Sequence, residues 1–235
     1  MEVRGPAAHN RPIRTNAWRR RATLRTIVFL GLALACPAAA NVRLSGVRFP
    51  MRGTASLRIT MRVVNSSVVP VKRLAQAETI AGQILGDAGV EVIWVDCAKE
   101  APAGGTAHRC AQDRGPAEFW LHLLTRDPSN LHGDVTGFAV LPPLLRDGDG
   151  YAGVSYSMVE AAARSLDVEA SYVLGATLAH EIGHLLLGAR CHSPSGVMSP
   201  RLRLEQFRRA ARGELRFTPG QAGQIRVEVA RRMAR

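Results

Sequence analysis

The sequence is short of lysine, of aromatic rings and of long apolar runs. Each shortage narrows what the chain can be. Lys72 and Lys99 are the only lysines among 31 basic residues in 235, so arginine carries the positive charge. Aromatic residues make up 5% of the chain. Few of them interleave with the arginines, and a surface for single-stranded nucleic acid needs such rings for base stacking. The arginine content therefore reads as composition, and no nucleic-acid partner is expected. The apolar run at 26–35 is ten residues long, whereas a bilayer span takes about 20. There is no internal repeat and no low-complexity tract.

That short run has the build of a signal sequence. Arg19, Arg20, Arg21 and Arg25 form a basic region before it, and Ala38-Ala39-Ala40 offers a small-residue cleavage site after it. Residues 1–40 are thus expected to be a leader, with the signal peptide near 19–40 and export to the periplasm or outside the cell. The alternative is an anchor that stays uncleaved. Without the leader, 24 basic and 18 acidic side chains remain over 195 residues, a net of +6 against +12 for the whole chain. Residues 41–235 suit one domain with a sizeable core. A monomer is expected, with no stable membrane association after cleavage. Cys97 and Cys110 bracket a loop rich in Gly, Pro and Ala, and in an exported protein they read as one disulfide. Cys191 is left over.

The chemistry concentrates at residues 180–198. His180, Glu181 and His184 form an H-E-x-x-H run, followed by Gly188, His192 and Met198. Two histidines four apart lie on one helix face, one turn apart, and can share a Zn²⁺. Glu181 is placed to take a proton from water at that metal. Leu174, Leu178 and residues 185–187 make the helix apolar and buried. Buried polar groups need partners, and a metal supplies one.

This run resembles the metzincin metalloproteases, whose pattern is H-E-x-x-H-x-x-G-x-x-H and then a Met-containing turn. Its His-Ser pair at 192–193 and its G-V-M-S-P stretch are similar to the matrix-metalloprotease branch. The resemblance implies that His180, His184 and His192 bind zinc, that Glu181 is the general base, and that Met198 forms the Met-turn. It also implies peptide-bond hydrolysis of a peptide or protein substrate. This chain has one extra residue on each side of Gly188, so His184 and His192 are eight apart. Cys191 competes as third ligand. Glu205 competes too, in a gluzincin-type site 21 residues after His184. A non-enzymatic exported zinc-binding module is a third reading. No long propeptide, cysteine switch or tyrosine near Met198 is visible, nor a downstream cysteine cluster for a second zinc.

Around the motif, periodicity orders the elements. Leu57, Ile59, Met61 and Val63 alternate with polar residues, as a half-buried strand does. Apolar residues recur at helical spacing over 71–86, and strands follow at 90–95 and 119–124. His122 reads as a packed strand residue. Two short apolar runs cover 137–141 and 151–159, with a short helix at 159–166. Asp147 and Asp149 read as turn residues, with Ca²⁺ as the alternative. The motif helix covers 171–187, and 201–212 is a basic stretch that reads as a solvated face. Thr218, Pro219 and Gln221 open a last helix with a capping box. The expected fold is α+β, a mixed, mostly parallel sheet with an active-site helix and a C-terminal helix. The resemblance adds an antiparallel edge strand, formed by one of the two short runs, that pairs with the substrate backbone.

Overall fold

Alternating apolar residues build β1 (Arg58–Asn65), in which Ile59, Met61 and Val63 are buried. A computed structural model describes residues 56–65, 69–97, 110, 115–125, 136–141 and 150–235. The proposed leader and both aspartates of the 142–149 turn lie outside the described residues. After β1 come α1 (Val71–Asp87), β2 (Glu91–Asp96), β3 (Glu118–Leu124), β4 (Gly137–Val140) and β5 (Tyr151–Ser155). Then follow α2 (Tyr156–Leu166), α3 (Ala170–Leu187), α4 (Leu204–Ala211) and α5 (Pro219–Met233). The chain is α+β, as expected.

The five strands form one mixed sheet in the order β2-β1-β3-β5-β4. All neighbours are parallel except β4, which lies antiparallel to β5 at one edge. An antiparallel edge strand was expected from one of the two short runs, and the first of them supplies it. The other run divides. Its first five residues form β5, and the chain turns into α2 at Tyr156, not at 159. The reason is tertiary: Tyr156, Val159 and Ala163 bury one face at helical spacing, and Arg73 donates to the Tyr156 hydroxyl. The basic stretch also holds a helix that its charge conceals. α4 buries Phe207 and Ala210 and keeps its arginines outward.

Phe119, Leu121 and Leu123 of β3 share the buried face with β1, and Ala152 and Val154 of β5 continue it. α1 turns Leu74, Ala77, Ile80, Ala81, Ile84 and Leu85 into the core. It packs closely on α3. A Cβ at Gly175 would lie 2.7 Å from Ile80 Cβ and 2.9 Å from the Ala77 carbonyl oxygen. The backbone contact cannot move aside as a side-chain tip could. Gly175→Ala therefore sets an overpacking cost of about 1–3 kcal/mol against a helix-propensity gain of about 1 kcal/mol. A net loss of stability is expected, read as a lower urea midpoint at unchanged slope. A midpoint at or above wild type would refute the close contact.

The sulfurs of Cys97 and Cys110 are 1.96 Å apart, which is the expected disulfide. Among the described residues, no helix is long and apolar enough to cross a membrane.

Candidate metal centre

Sixteen of the eighteen residues of α3 are buried, so this helix is apolar on all sides. Polar groups within it must find partners or lose free energy. His180 and His184 lie one turn apart on its last two turns. Gly188 ends the helix with φ 92°, the left-handed region that favours glycine. The chain then doubles back. The Ser193 amide donates to the Met198 carbonyl at 2.8 Å, and the Val197 amide donates to the Arg216 carbonyl at 3.0 Å. The first bond closes the loop on itself and the second ties it to the segment before α5, and His192 lies beside the other two rings.

The three Nε2 atoms converge. His184 Nε2 lies 3.1 Å from His180 Nε2 and 3.1 Å from His192 Nε2. Two nitrogens bound tetrahedrally at 2.0–2.1 Å to one ion are about 3.4 Å apart, so the spacing suits a small cation. On the far side of two rings, backbone carbonyls select the tautomer. His180 Nδ1 donates to the Val197 carbonyl at 2.7 Å, and His184 Nδ1 donates to the Gly188 carbonyl at 3.2 Å. With the proton on Nδ1, each Nε2 lone pair faces the shared point, as metal-ligating histidines require. His180 and His184 are buried, while His192 is exposed and marks the solvent side. Among the described residues this is the one group of histidine, cysteine or acidic side chains placed to hold a metal ion.

Burial also sets the charge. Desolvation pulls His180 down to about 4, against the Val197 hydrogen bond, and the neighbouring His184 and His192 lower it further. Desolvation lowers His184 and His192 as well. All three rings are therefore neutral near pH 7, the form that binds a cation. Glu181, 5% exposed, is pushed by desolvation up to about 8. A divalent cation at the three nitrogens acts in the opposite sense.

In the chelated protein, stability should depend on pH through His180. His180 titrates near 6.5 when unfolded and near 4 when folded. Between these values the unfolded chain binds more protons, so stability falls as pH drops from about 6.5 to about 4. The loss is on the order of 3 kcal/mol. Urea melts across that range in excess chelator would measure it, and a flat profile would contradict the buried neutral ring.

The other sequence candidates fall elsewhere. The Cys191 thiol is buried and donates to the Leu187 carbonyl at 2.7 Å. Glu205 is exposed on α4, 3.6 Å from Arg212. Neither joins the histidine group. His122 packs in the sheet near Trp120 and edge-on to Tyr151, as a strand residue should.

Two supporting glycines, Gly183 and Gly137, escaped the sequence reading, and Gln221, read as a capping residue, has a second role. Gly183 leaves room for Met198, whose Sδ would collide with a Cβ there. Met198 is fully buried beneath the histidine helix. Gly137, the first residue of β4, lies against Glu181, where a Cβ would come 2.8 Å from Oε1. Gln221 joins the cap of α5 to the histidine loop, since its Nε2 donates to the Cys191 carbonyl at 2.9 Å. A glycine at the start of a strand is a sign of close backbone approach, and it was the one signal on offer. The chain matches no protein-family model, and no curated protein matches it either.

Proposed function

We propose that this chain is an exported zinc-dependent metallopeptidase, with His180, His184 and His192 as ligands and Glu181 as general base. The observation that carries the reading is the convergence of three Nε2 atoms, two of them oriented by backbone carbonyls, one residue from a buried carboxyl. Three imidazoles with no fourth protein ligand among the described residues fit a catalytic zinc site, whereas structural zinc sites fill all four positions with protein ligands. The Cys97–Cys110 disulfide fits an oxidising compartment.

Zinc, when bound, supplies a Lewis acid that polarises a carbonyl and lowers the pKa of a water toward about 7. The protein does the rest. Glu181 takes the proton as the water oxygen adds to the peptide carbonyl carbon. The C–N bond then breaks, and Glu181 returns the proton to the departing amine. The outer edge of β4, which no strand covers among the described residues, pairs with the extended substrate, and Gly137 lets that strand approach Glu181.

The test is cleavage of a mixed peptide pool by the full chain loaded with zinc, followed by mass spectrometry. Cleavage that a chelator stops and added zinc restores is the expected result. One bound zinc with no cleavage of any peptide would sink the reading and leave a zinc-binding module.

A further inference from the structure

Both edges of the sheet are uncovered among the described residues, β4 at one and β2 at the other. An uncovered edge leaves backbone groups outside the ladder and invites another strand. On β2 those groups can be named. The amides of Glu91 and Cys97 donate to the Leu57 and Val63 carbonyls, so the odd-numbered residues turn their backbone groups toward β1. Backbone groups alternate along a strand, and those of Val92 and Trp94 therefore point outward. Their side chains lie on the helix side of the sheet, opposite Ile59 and Met61, and are half-buried against the core.

A groove of about 580 Å³ runs beside this edge. Thr79, Gly82, Gln83 and Gly86 of α1 line one side of it, and Val92 lies on the other. A Cβ at Gly86 would meet nothing within 4 Å, and one at Gly82 would lie 3.8 Å from Trp94 Nε1. The two glycines thus leave room between α1 and the strand edge. Ser56, where the described chain begins, lines the same groove, and its hydroxyl donates to Glu91 Oε2 at 3.2 Å. The chain ahead of β1 therefore enters the fold here.

The residues just before Ser56 suit that edge. Val47, Phe49 and Met51 alternate with Arg48, Pro50 and Arg52. Proline has no amide hydrogen, so in an added strand Pro50 belongs among the residues whose backbone groups face away from β2. Val47, Phe49 and Met51 are then the residues that bond to β2. In an antiparallel pair they stand opposite the outward-facing residues, and opposed side chains share a face. The parity that proline requires thus also carries the apolar side chains to the α1 side, where Gly82 and Gly86 leave space. The other parity fails on both counts. The added strand and β1 would be two strand spacings apart, about 10 Å, which residues 53–56 can span. Arg52 then comes level with Glu91. The charges agree as well. Residues 41–55 carry three arginines and no acidic residue. At the far end of the edge, burial and the neighbouring Asp96 push the Glu78 carboxyl up to about 7, which marks crowded negative charge. A second copy laid antiparallel on β2 would instead set Glu91 against Asp96, like charge on like.

We propose that residues 47–52 form a sixth strand, antiparallel to β2 on its outer edge, with Phe49 and Met51 in the groove beside α1. The proposal is independent of the peptidase reading. With this strand in place, β4 is the remaining uncovered edge among the described residues, the one to which the proposed function assigns the substrate.

Hydrogen exchange on the full chain reads the edge directly. The Val92 and Trp94 amides should be protected, and Phe49→Asp/Met51→Asp should remove that protection while the amides of β3 and β5 keep theirs. A second variant does not depend on tolerance of buried aspartates. Pro50→Cys/Ile93→Cys puts two thiols at an opposed, non-hydrogen-bonded pair with Cα atoms about 4.5 Å apart, within disulfide range. Ile93 is exposed, so the change spares the core. Peptide mapping should find that disulfide within one chain. Pro50→Cys/Val140→Cys, which uses an exposed residue at the opposite edge, should give none. Freely exchanging Val92 and Trp94 amides overturn the proposal, as does protection that survives Phe49→Asp/Met51→Asp. So does absence of the intrachain disulfide, or its formation with position 140. A disulfide joining position 93 of two chains would also overturn it and would assign the edge to a second copy.

Discussion

Glu181→Gln should keep one zinc per chain and lose peptide hydrolysis by on the order of 10³-fold. The amide has the shape of the carboxyl, so the close approach to Gly137 survives. The ligand rings do not depend on it, because His180 and His184 are held by the Val197 and Gly188 carbonyls. On the proposed reading, only the proton acceptor is removed. The loss should therefore fall on kcat, with KM little changed, since binding would use the β4 edge. Glu181→Ala should lose activity as well, but it also leaves a hole in a buried helix, and the isosteric change is the cleaner test. A variant that binds zinc and retains cleavage within tenfold of wild type would show that Glu181 is not the base.

The order of elements was legible because its signals are local. Alternation in β1, the helical spacing of Leu74 to Leu85, and the Thr218–Gln221 cap each need only a few neighbouring residues. The cap appears as read, with the Gln221 amide donating to Thr218 Oγ1 at 3.3 Å and the Thr218 amide donating to Gln221 Oε1 at 3.1 Å. The misreadings came where local signals conflict. Residues 151–159 read as one mostly apolar run, interrupted only by Ser155 and Ser157, and nothing local says that the strand stops at Ser155. Arg73, more than eighty positions earlier in the chain, helps to place the turn into α2. In α4 the arginines hide a two-residue apolar face, Phe207 and Ala210, too small to stand out as a period.

For the candidate site the division is similar. His180, Glu181 and His184 are fixed by helix spacing and could be read directly. The glycines around them could not, because their roles depend on what approaches from elsewhere. Gly183 matters through Met198, and Gly137 through a carboxylate forty-four residues further on. Such contacts are non-local by nature, and a bare glycine does not announce its neighbour.

The proposed third ligand is where sequence spacing left the most freedom, and there a single substitution should have a large effect. His192→Ala is expected to weaken zinc binding by at least about 10²-fold, measured by competition with a chromophoric chelator. Loss of a group that merely orients a ligand typically costs 10–100-fold, and loss of the ligand itself should cost no less. Cys191→Ser and Glu205→Ala should each leave the affinity within about threefold. The Cys191 thiol is committed to the Leu187 carbonyl, and Glu205 faces Arg212 on an exposed helix. The eight-residue gap between His184 and His192 is bridged by the turn at Gly188 and by the bonds that tie residues 193 and 197 back to the protein. Those bonds are made by backbone groups and help to place His192 independently of its imidazole. If Glu205→Ala weakens zinc binding more than His192→Ala does, the ligand set is of the other kind and the loop must rearrange to bind metal.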